Sequence, residues 1–265
     1  MPREFPDVVY GKAGDRELHL DMVLPAKTSK PYPCVVWFHG GGWRTGDRKD
    51  NQAAWLAREG YVAASVDYRL SDEALFPAQI HDCKAAIRFL RANAEKYEID
   101  PSRIGVWGLS AGGHLAALMG SSAGVQELEG NSGSPDHPSD VQAVCDFFGP
   151  ADLTMALSPV KQEIDVVAQV LGGTPEEKPE LARLASPVSH VTPGDPPVLI
   201  VHGDKDPLLT IKHSERLCEA LKNAGVEVEI VRVRNAGHGF PESGISPTRP
   251  QIDKMVLGFF NKHLK

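Results

Sequence analysis

The chain has 265 residues, 42% of them hydrophobic, and its 35 Asp and Glu against 28 Lys and Arg leave a formal charge of −7. The length suits one α/β domain over residues 1–265, and the acidic balance argues against nucleic acid as a partner, which calls for a basic patch or stripe. No apolar stretch approaches a membrane span and residues 1–20 lack a signal peptide's apolar core, so no membrane partner is expected. A cytoplasmic location is the expectation for the chain as it stands, and export is the expectation if a removed leader preceded Met1.

Taken in chain order, "ELHLDMVLP" alternates apolar and polar from Leu18 to Leu24 and predicts a strand. "CVVWF" (34–38) is a continuous apolar run, as a strand buried on both faces should be, and leads into "HGGGW". Residues 51–59 read as a helix, 61–66 as the next strand, and "DYRL" follows it. Pro77 suits the first turn of a helix whose apolar face is Ile80, Cys83, Ile87, Leu90 and Ala94, running to about residue 97. "DPSR" reads as a turn, "RIGVWGL" as a strand ending at Ser110, and 111–121 as a helix. Residues 122–140, rich in Gly, Ser, Pro and charge, predict a loop or insertion. Residues 141–149 give another strand, and 150–195 holds short helical patterns between prolines. "PPVLIVHG" resumes the alternation, followed by a helix at 211–224, a strand at 226–233 and a helix at about 248–263. Strands alternating with helices predict a mostly parallel sheet covered on both faces. Any lid has to come from 122–140 or 150–195. Cys34, Cys83, Cys145 and Cys218 form no CxxC pair and fall in apolar or amphipathic runs, so buried free thiols are expected rather than disulfides or a metal site.

A parallel sheet places its ligand site beyond the carboxyl ends of its strands. Ser110 sits there, in "GLSAG", on a strand-to-helix turn tight enough to strain the backbone and expose the hydroxyl. A serine hydroxyl needs a general base, and the base needs a third group to orient it. Of the ten histidines, His238 in "NAGHGF" follows the last predicted strand. His19, His137, His213 and His263 read as surface or loop residues, and His114 as a supporting residue beside the turn. "HGDKD" offers Asp204 and Asp206. Asp206, stiffened by Pro207, is favoured as the acid, with Asp204 bracing the turn through nearby backbone. The Ala111 N–H and the glycine-rich His39-Gly40-Gly41-Gly42-Trp43 loop supply donors for a tetrahedral oxyanion. Trp43, Leu208 and Phe240 adjoin these residues and either line the acyl or alcohol pocket or pack in the core. Asp67, Tyr68 and Arg69 read as a structural network, with Asp82 as a partner for Arg69.

Together "VVWFHGGGW", "VDYRLS", "RIGVWGLSAGGHLAAL", "PPVLIVHGDKDPLL" and "NAGHGF", in this order, resemble the α/β-hydrolase carboxylesterases with an HGGGW loop. The resemblance is to the acetyl-xylan and feruloyl esterase-like proteins related to the hormone-sensitive-lipase-like group. It implies Ser110, Asp206 and His238 as the catalytic residues, and Gly41, Gly42 and Ala111 as the oxyanion donors. It implies no metal and no organic cofactor. The long amino-terminal cap of typical hormone-sensitive-lipase-like enzymes is missing from the pattern. With aromatic residues at 7%, a shallow pocket for short acyl groups is expected. The partner implied is a small-molecule or carbohydrate ester, and the oligomeric state is left open. The rivals are an arylformamidase-type amide hydrolase, a small peptidase of the prolyl-oligopeptidase kind, and a non-catalytic hydrolase-fold binding protein. The last would carry a damaged triad, whereas all three residue types stand here in order.

Overall fold

In the computed structural model, which describes residues 1–26, 31–159 and 165–265, the apolar runs gather into one eight-stranded sheet. Its strands are β1 (Arg3–Ala13), β2 (Arg16–Leu24), β3 (Tyr32–Phe38), β4 (Val62–Val66), β5 (Ile99–Leu109), β6 (Ala143–Phe147), β7 (Val198–Gly203) and β8 (Val228–Val233). They lie in the order β1-β2-β4-β3-β5-β6-β7-β8. β1 pairs antiparallel with β2, and β2 antiparallel with β4, and all the other pairs are parallel. This is the mostly parallel sheet that the alternating pattern predicts, in the α/β-hydrolase arrangement that the resemblance implies.

Side chains alternate across the fully buried strands, so each strand feeds two cores. Cys34, Val36 and Phe38 point into a core with α1 (Ala78–Ala92), α2 (Ala111–Ser121) and α5 (Lys212–Asn223). Val35 and Trp37 point the other way, toward α6 (Arg249–Leu264) and a 3₁₀ stretch, Ala54–Glu59. Two shorter helices, α3 (Val166–Leu171) and α4 (Pro179–Leu184), lie in the segment after β6. All four cysteines are buried free thiols. Cys34, Cys83 and Cys218 belong to the first core and Cys145 to the second.

Several expectations change. β1 is not apparent in the sequence pattern, because Pro6 and two register shifts break its alternation. The helix at 51–59 is only the 3₁₀ stretch Ala54–Glu59. α1 ends at Ala92 rather than near 97, where Asn93 donates its side-chain amide to Phe89 O at 2.9 Å. "DPSR" lies inside β5. The turn chemistry survives as a bulge, with Tyr32 to Cys34 of β3 facing Ile99 to Ile104 of β5, and Asp100 Oδ1 accepting from Ser102 N at 3.0 Å.

Residues 122–140 follow α2, which runs from Ser110 back toward the opposite edge of the sheet, and lead into the start of β6. They are clasped against α1 and β1. Lys84 Nζ donates to Ser122 O at 2.7 Å and to Glu129 Oε1 at 2.6 Å, and Arg88 Nη2 donates to Ser132 O at 2.9 Å. Ser132 Oγ donates to Lys12 O at 2.7 Å. A lid role for this stretch is therefore corrected. The described parts of 150–195 do reach the strand ends: Phe76 N–H donates to Val170 O at 2.9 Å, and Val166 lies against Gly42. Residues 160–164 of that segment lie outside the described residues.

Candidate active site

The turn between β5 and α2 forces its glycines. A Cβ on Gly108 would stand 2.2 Å from Gly112 O, and one on Gly112 would stand 2.0 Å from Phe38 O. Only hydrogen at both positions lets strand and helix approach so closely. Ser110 between them has φ 54° and ψ −120°, a backbone region that a side chain adopts only under constraint. Its N–H donates to Phe147 O at 2.8 Å and its carbonyl accepts from His114 N–H at 2.9 Å. The strained residue is thus tied to β6 and to its own helix.

His238 Nε2 lies 3.0 Å from Ser110 Oγ, and His238 Nδ1 lies 2.7 Å from Asp206 Oδ2. Asp206, not Asp204, reaches the imidazole. The other oxygen of Asp206 accepts from the N–H groups of Leu208 and Leu209, both at 2.9 Å, and the side chain is fully buried. Burial alone would push this carboxyl up. His202 and His238 beside it, with the Leu209 N–H, win and hold it well below the usual carboxylate range. It therefore stays ionised, and the proton between the pair sits on His238 Nδ1, leaving Nε2 to accept from the serine.

His202 was not singled out by the sequence reading. It is fully buried, its Nε2 is 3.0 Å from Leu209 O and 3.4 Å from Asp206 Oδ2, and its Nδ1 is 2.7 Å from Ser214 Oγ. A carbonyl only accepts, so Nε2 carries the proton and Ser214 donates to Nδ1. "HGDKD" contains the signal, a histidine at a strand end four residues before the acid. Phe148 was also missed. It is 1% exposed and meets the His238 ring edge-on at 4.7 Å. The Asp204 side chain reaches across to the neighbouring loop instead of its own turn: its Oδ1 accepts from Asn235 N at 2.8 Å and so ties the acid loop to the loop carrying His238. That second loop is also held by Glu242, which accepts from Gly237 N at 2.8 Å.

On the other side of Ser110, the loop after β3 turns on Gly41, at φ 107°, where a Cβ would stand 2.2 Å from Thr45 O. The Arg44 and Thr45 N–H groups donate to Gly41 O, each at 3.1 Å. Among the described residues, none accepts from the N–H of Gly41, Gly42 or Ala111. The loop rests on the network expected of "DYRL". Tyr68 donates to His39 O at 2.8 Å and stacks on the His39 ring at 4.3 Å. Asp67 pairs with Arg48, and Arg69 clamps Asp82 with bonds of 2.7 and 2.8 Å.

The flanking residues separate. Leu208 is 47% exposed and stands at the rim. Trp43 and Phe240, at 2% and 4%, are turned into the two cores. A pocket-lining role for both is corrected. Each has a positive φ, 57° and 58°, which rotates its side chain away from the direction that its neighbours in sequence suggest. His213 is corrected as well: it is fully buried, with Nε2 3.2 Å from Ala156 O.

A nucleophile with its base and acid on one side, and free N–H dipoles on the other, is an arrangement able to carry acyl transfer. The family model BD-FAE matches residues 20–221. Esterase LipC of Mycobacterium tuberculosis is 34% identical over 240 residues, which are 88% of this chain and 59% of LipC. The chain thus spans little more than half the length of that relative. The solved structure of a truncated form of carbohydrate esterase from gut microbiota superposes with a TM-score of 0.87 at 33% identity, covering 98% of this chain and 95% of the other. The propionate-bound esterase 2 of Thermogutta terrifontis gives a TM-score of 0.77 at 28% identity, covering 97% and 92%.

Proposed function

The chain belongs to the BD-FAE family, and from that premise we propose that it is a serine carboxylic ester hydrolase working through an acyl-enzyme. The observation that carries this reading is the continuous line from Ser110 Oγ through His238 to Asp206, with steps of 3.0 and 2.7 Å. Ser110 Oγ attacks the ester carbonyl carbon while its proton passes to His238 Nε2. The carbonyl oxygen becomes an oxyanion and takes the N–H groups of Gly41, Gly42 and Ala111. As the carbon–alkoxy bond breaks, His238 returns the proton to the leaving oxygen. Water then enters, gives its proton to His238, and attacks the acyl carbon. The carboxylic acid departs as Ser110 recovers its hydrogen. Asp206 holds the imidazole in the required tautomer throughout and stabilises the imidazolium.

The substrate class follows on the same reading. We assign short acyl groups, acetyl to butyryl, on a polar alcohol such as an acetylated or feruloylated plant polysaccharide. Support comes from the neighbours, one a carbohydrate esterase and one holding propionate. It also comes from the rim, where Leu208 is exposed while Trp43 and Phe240 are withdrawn, so little broad apolar surface awaits a long chain. The test has two arms. A fluorophosphonate should label Ser110 and no other residue. A panel of p-nitrophenyl esters of increasing chain length, acetylated xylan, methyl ferulate and N-formylkynurenine should show turnover of the short esters and release of acetate or ferulate. Preference for chains of about ten carbons or more, or for N-formylkynurenine over every ester, would replace this substrate class.

A further inference from the structure

Trp43 and His114 are both buried and lie in different elements, yet they share one hydrogen bond. The indole Nε1–H of Trp43 donates to His114 Nδ1 at 3.3 Å, and the rings meet edge to face at 5.1 Å. On the far side of the imidazole, His114 Nε2 lies 2.7 Å from Ala185 O. A carbonyl only accepts and an indole N–H only donates, so the two neighbours together fix the neutral Nε2–H tautomer. Burial, which pushes this imidazole down to about 4, keeps it neutral across the ordinary working range.

The three partners belong to three parts of the candidate site. His114 stands four residues after Ser110 on α2, and its N–H holds the Ser110 carbonyl at 2.9 Å. Trp43 directly follows Gly42, and its carbonyl accepts from Ser71 N at 2.7 Å. Ala185 closes α4, in the same segment that sets Val166 against Gly42. One rigid ring therefore spans the nucleophile's helix, the glycine loop and the segment covering that loop. No other uncharged side chain accepts and donates at opposite ends of a ring. Asparagine reaches only as far as Nδ1, and glutamine only the position of Nε2.

We propose that His114 is a positioning residue which, through Trp43, holds the 41–43 loop in register with the Ser110 turn, so that the N–H groups of Gly41, Gly42 and Ala111 converge on one point. This rests on the serine esterase reading above. The residue touches no substrate. It acts by keeping the oxyanion donors preorganised, which is worth more in the transition state than in the bound ester.

The experiment compares His114→Phe, His114→Asn and His114→Gln with wild type and with Ser110→Ala, on p-nitrophenyl acetate, with folding checked by circular dichroism at the assay temperature. His114→Phe keeps the ring packing and loses both bonds. Its kcat should fall about 10–100-fold while KM stays within about threefold, the mark of an interaction made in the transition state. His114→Asn retains an acceptor for the Trp43 indole and should recover most of the loss. His114→Gln retains only the reach to Ala185 and should not. Trp43→Phe, which removes the indole donor together with one ring of the buried side chain, should lower kcat in the same direction and add little on top of His114→Phe. It also serves if His114→Phe does not fold. In ¹⁵N-tryptophan spectra, the Trp43 indole signal should move in His114→Phe and much less in His114→Asn. Values of kcat within about threefold of wild type for Phe and Gln, or Asn no better than Gln, overturn the proposal. Activity persisting in Ser110→Ala overturns the esterase reading instead, whatever the His114 series shows.

Discussion

The loops that carry Asp206 and His238 and the loop that carries Gly41 and Gly42 flank the same serine, and they are held in place by opposite means. On the acid–base side the fastening is done by carboxylates. Asp206 takes Leu208 N–H, Leu209 N–H and His238, Asp204 takes Asn235 N–H, and Glu242 takes Gly237 N–H. On the oxyanion side the shape comes from backbone, through Gly41 at φ 107°, and the groups that touch the glycine loop are uncharged rings, Tyr68 on His39 and Trp43 on His114, with the Asp67–Arg48 and Asp82–Arg69 pairs set behind them. The proposed mechanism accounts for the contrast. A transient imidazolium calls for a fixed negative charge near it. A transient oxyanion calls for dipoles aimed at it, and a carboxylate nearby would oppose that charge. The acid–base side should thus be sensitive to changes of charge at constant shape, and the oxyanion side to changes of shape at constant charge.

The sharpest way to break this contrast is Asp206→Asn, which preserves volume and removes charge. We expect a loss on the order of 10⁴ in kcat. Asp204→Asn keeps an oxygen for Asn235 N–H and should cost little kcat while lowering the melting temperature. Steady-state kinetics showing the reverse ranking would reassign the acid. Next comes Gly41→Ala, which adds volume and no charge. With the new Cβ 2.2 Å from Thr45 O, the loop must shift, and kcat should fall on the order of 10²–10³. A variant as active as wild type would remove Gly41 from the oxyanion site.

A third test uses pH. Burial lowers His114 to about 4 from the ordinary imidazole value of 6.5, so the stability gained by keeping it neutral is present above 6.5 and is lost as pH falls toward 4. Denaturant titrations should show wild type weakening across that window. His114→Phe should show a slope shallower by on the order of 2–3 kcal/mol in total. His39 and His213, also lowered by burial, keep some of the slope. An unchanged slope would mean that His114 is not buried and neutral as described. The smallest effect is expected at the rim. Leu208→Ala should change stability by less than about 0.5 kcal/mol and alter KM across the acyl series more than kcat, as read from the p-nitrophenyl panel.

What the sequence makes legible is the chemistry tied to strand ends. Ser110 and Asp206 follow continuous apolar runs and His238 follows an alternating one, VEIVRV, and the order of runs and helices carries the sheet. Where the reading goes astray, the cause is a dihedral angle or a long-range partner that residue type does not encode. Trp43 and Phe240 adjoin site residues in sequence, yet their positive φ turns them inward. "DPSR" has the composition of a turn, but Tyr32 donates its N–H to Glu98 O at 2.7 Å just before it, and the register of β3 draws those residues into β5. Residues 122–140 look like a lid by composition. Lys84 and Arg88, which hold them elsewhere, pair with residues 45 and 44 positions away in sequence, with β5 and α2 in between. His202 is legible as a strand residue, and only the fold brings Leu209 O and Ser214 around to it.

The four cysteines give the molecule a native set of timers. Each thiol is buried and unpaired, so a maleimide or aromatic disulfide reagent has no target until some part of the structure opens. The layers are addressed separately, since Cys145 lies under α6 and the other three lie on the opposite face of the sheet. Cys218 on α5 and Cys83 on α1 report detachment of individual helices, while Cys34, at the centre of β3, becomes reactive only when the sheet itself comes apart. Peptide mapping of the modified sites over time then reads the order of opening directly, without a label or an engineered residue.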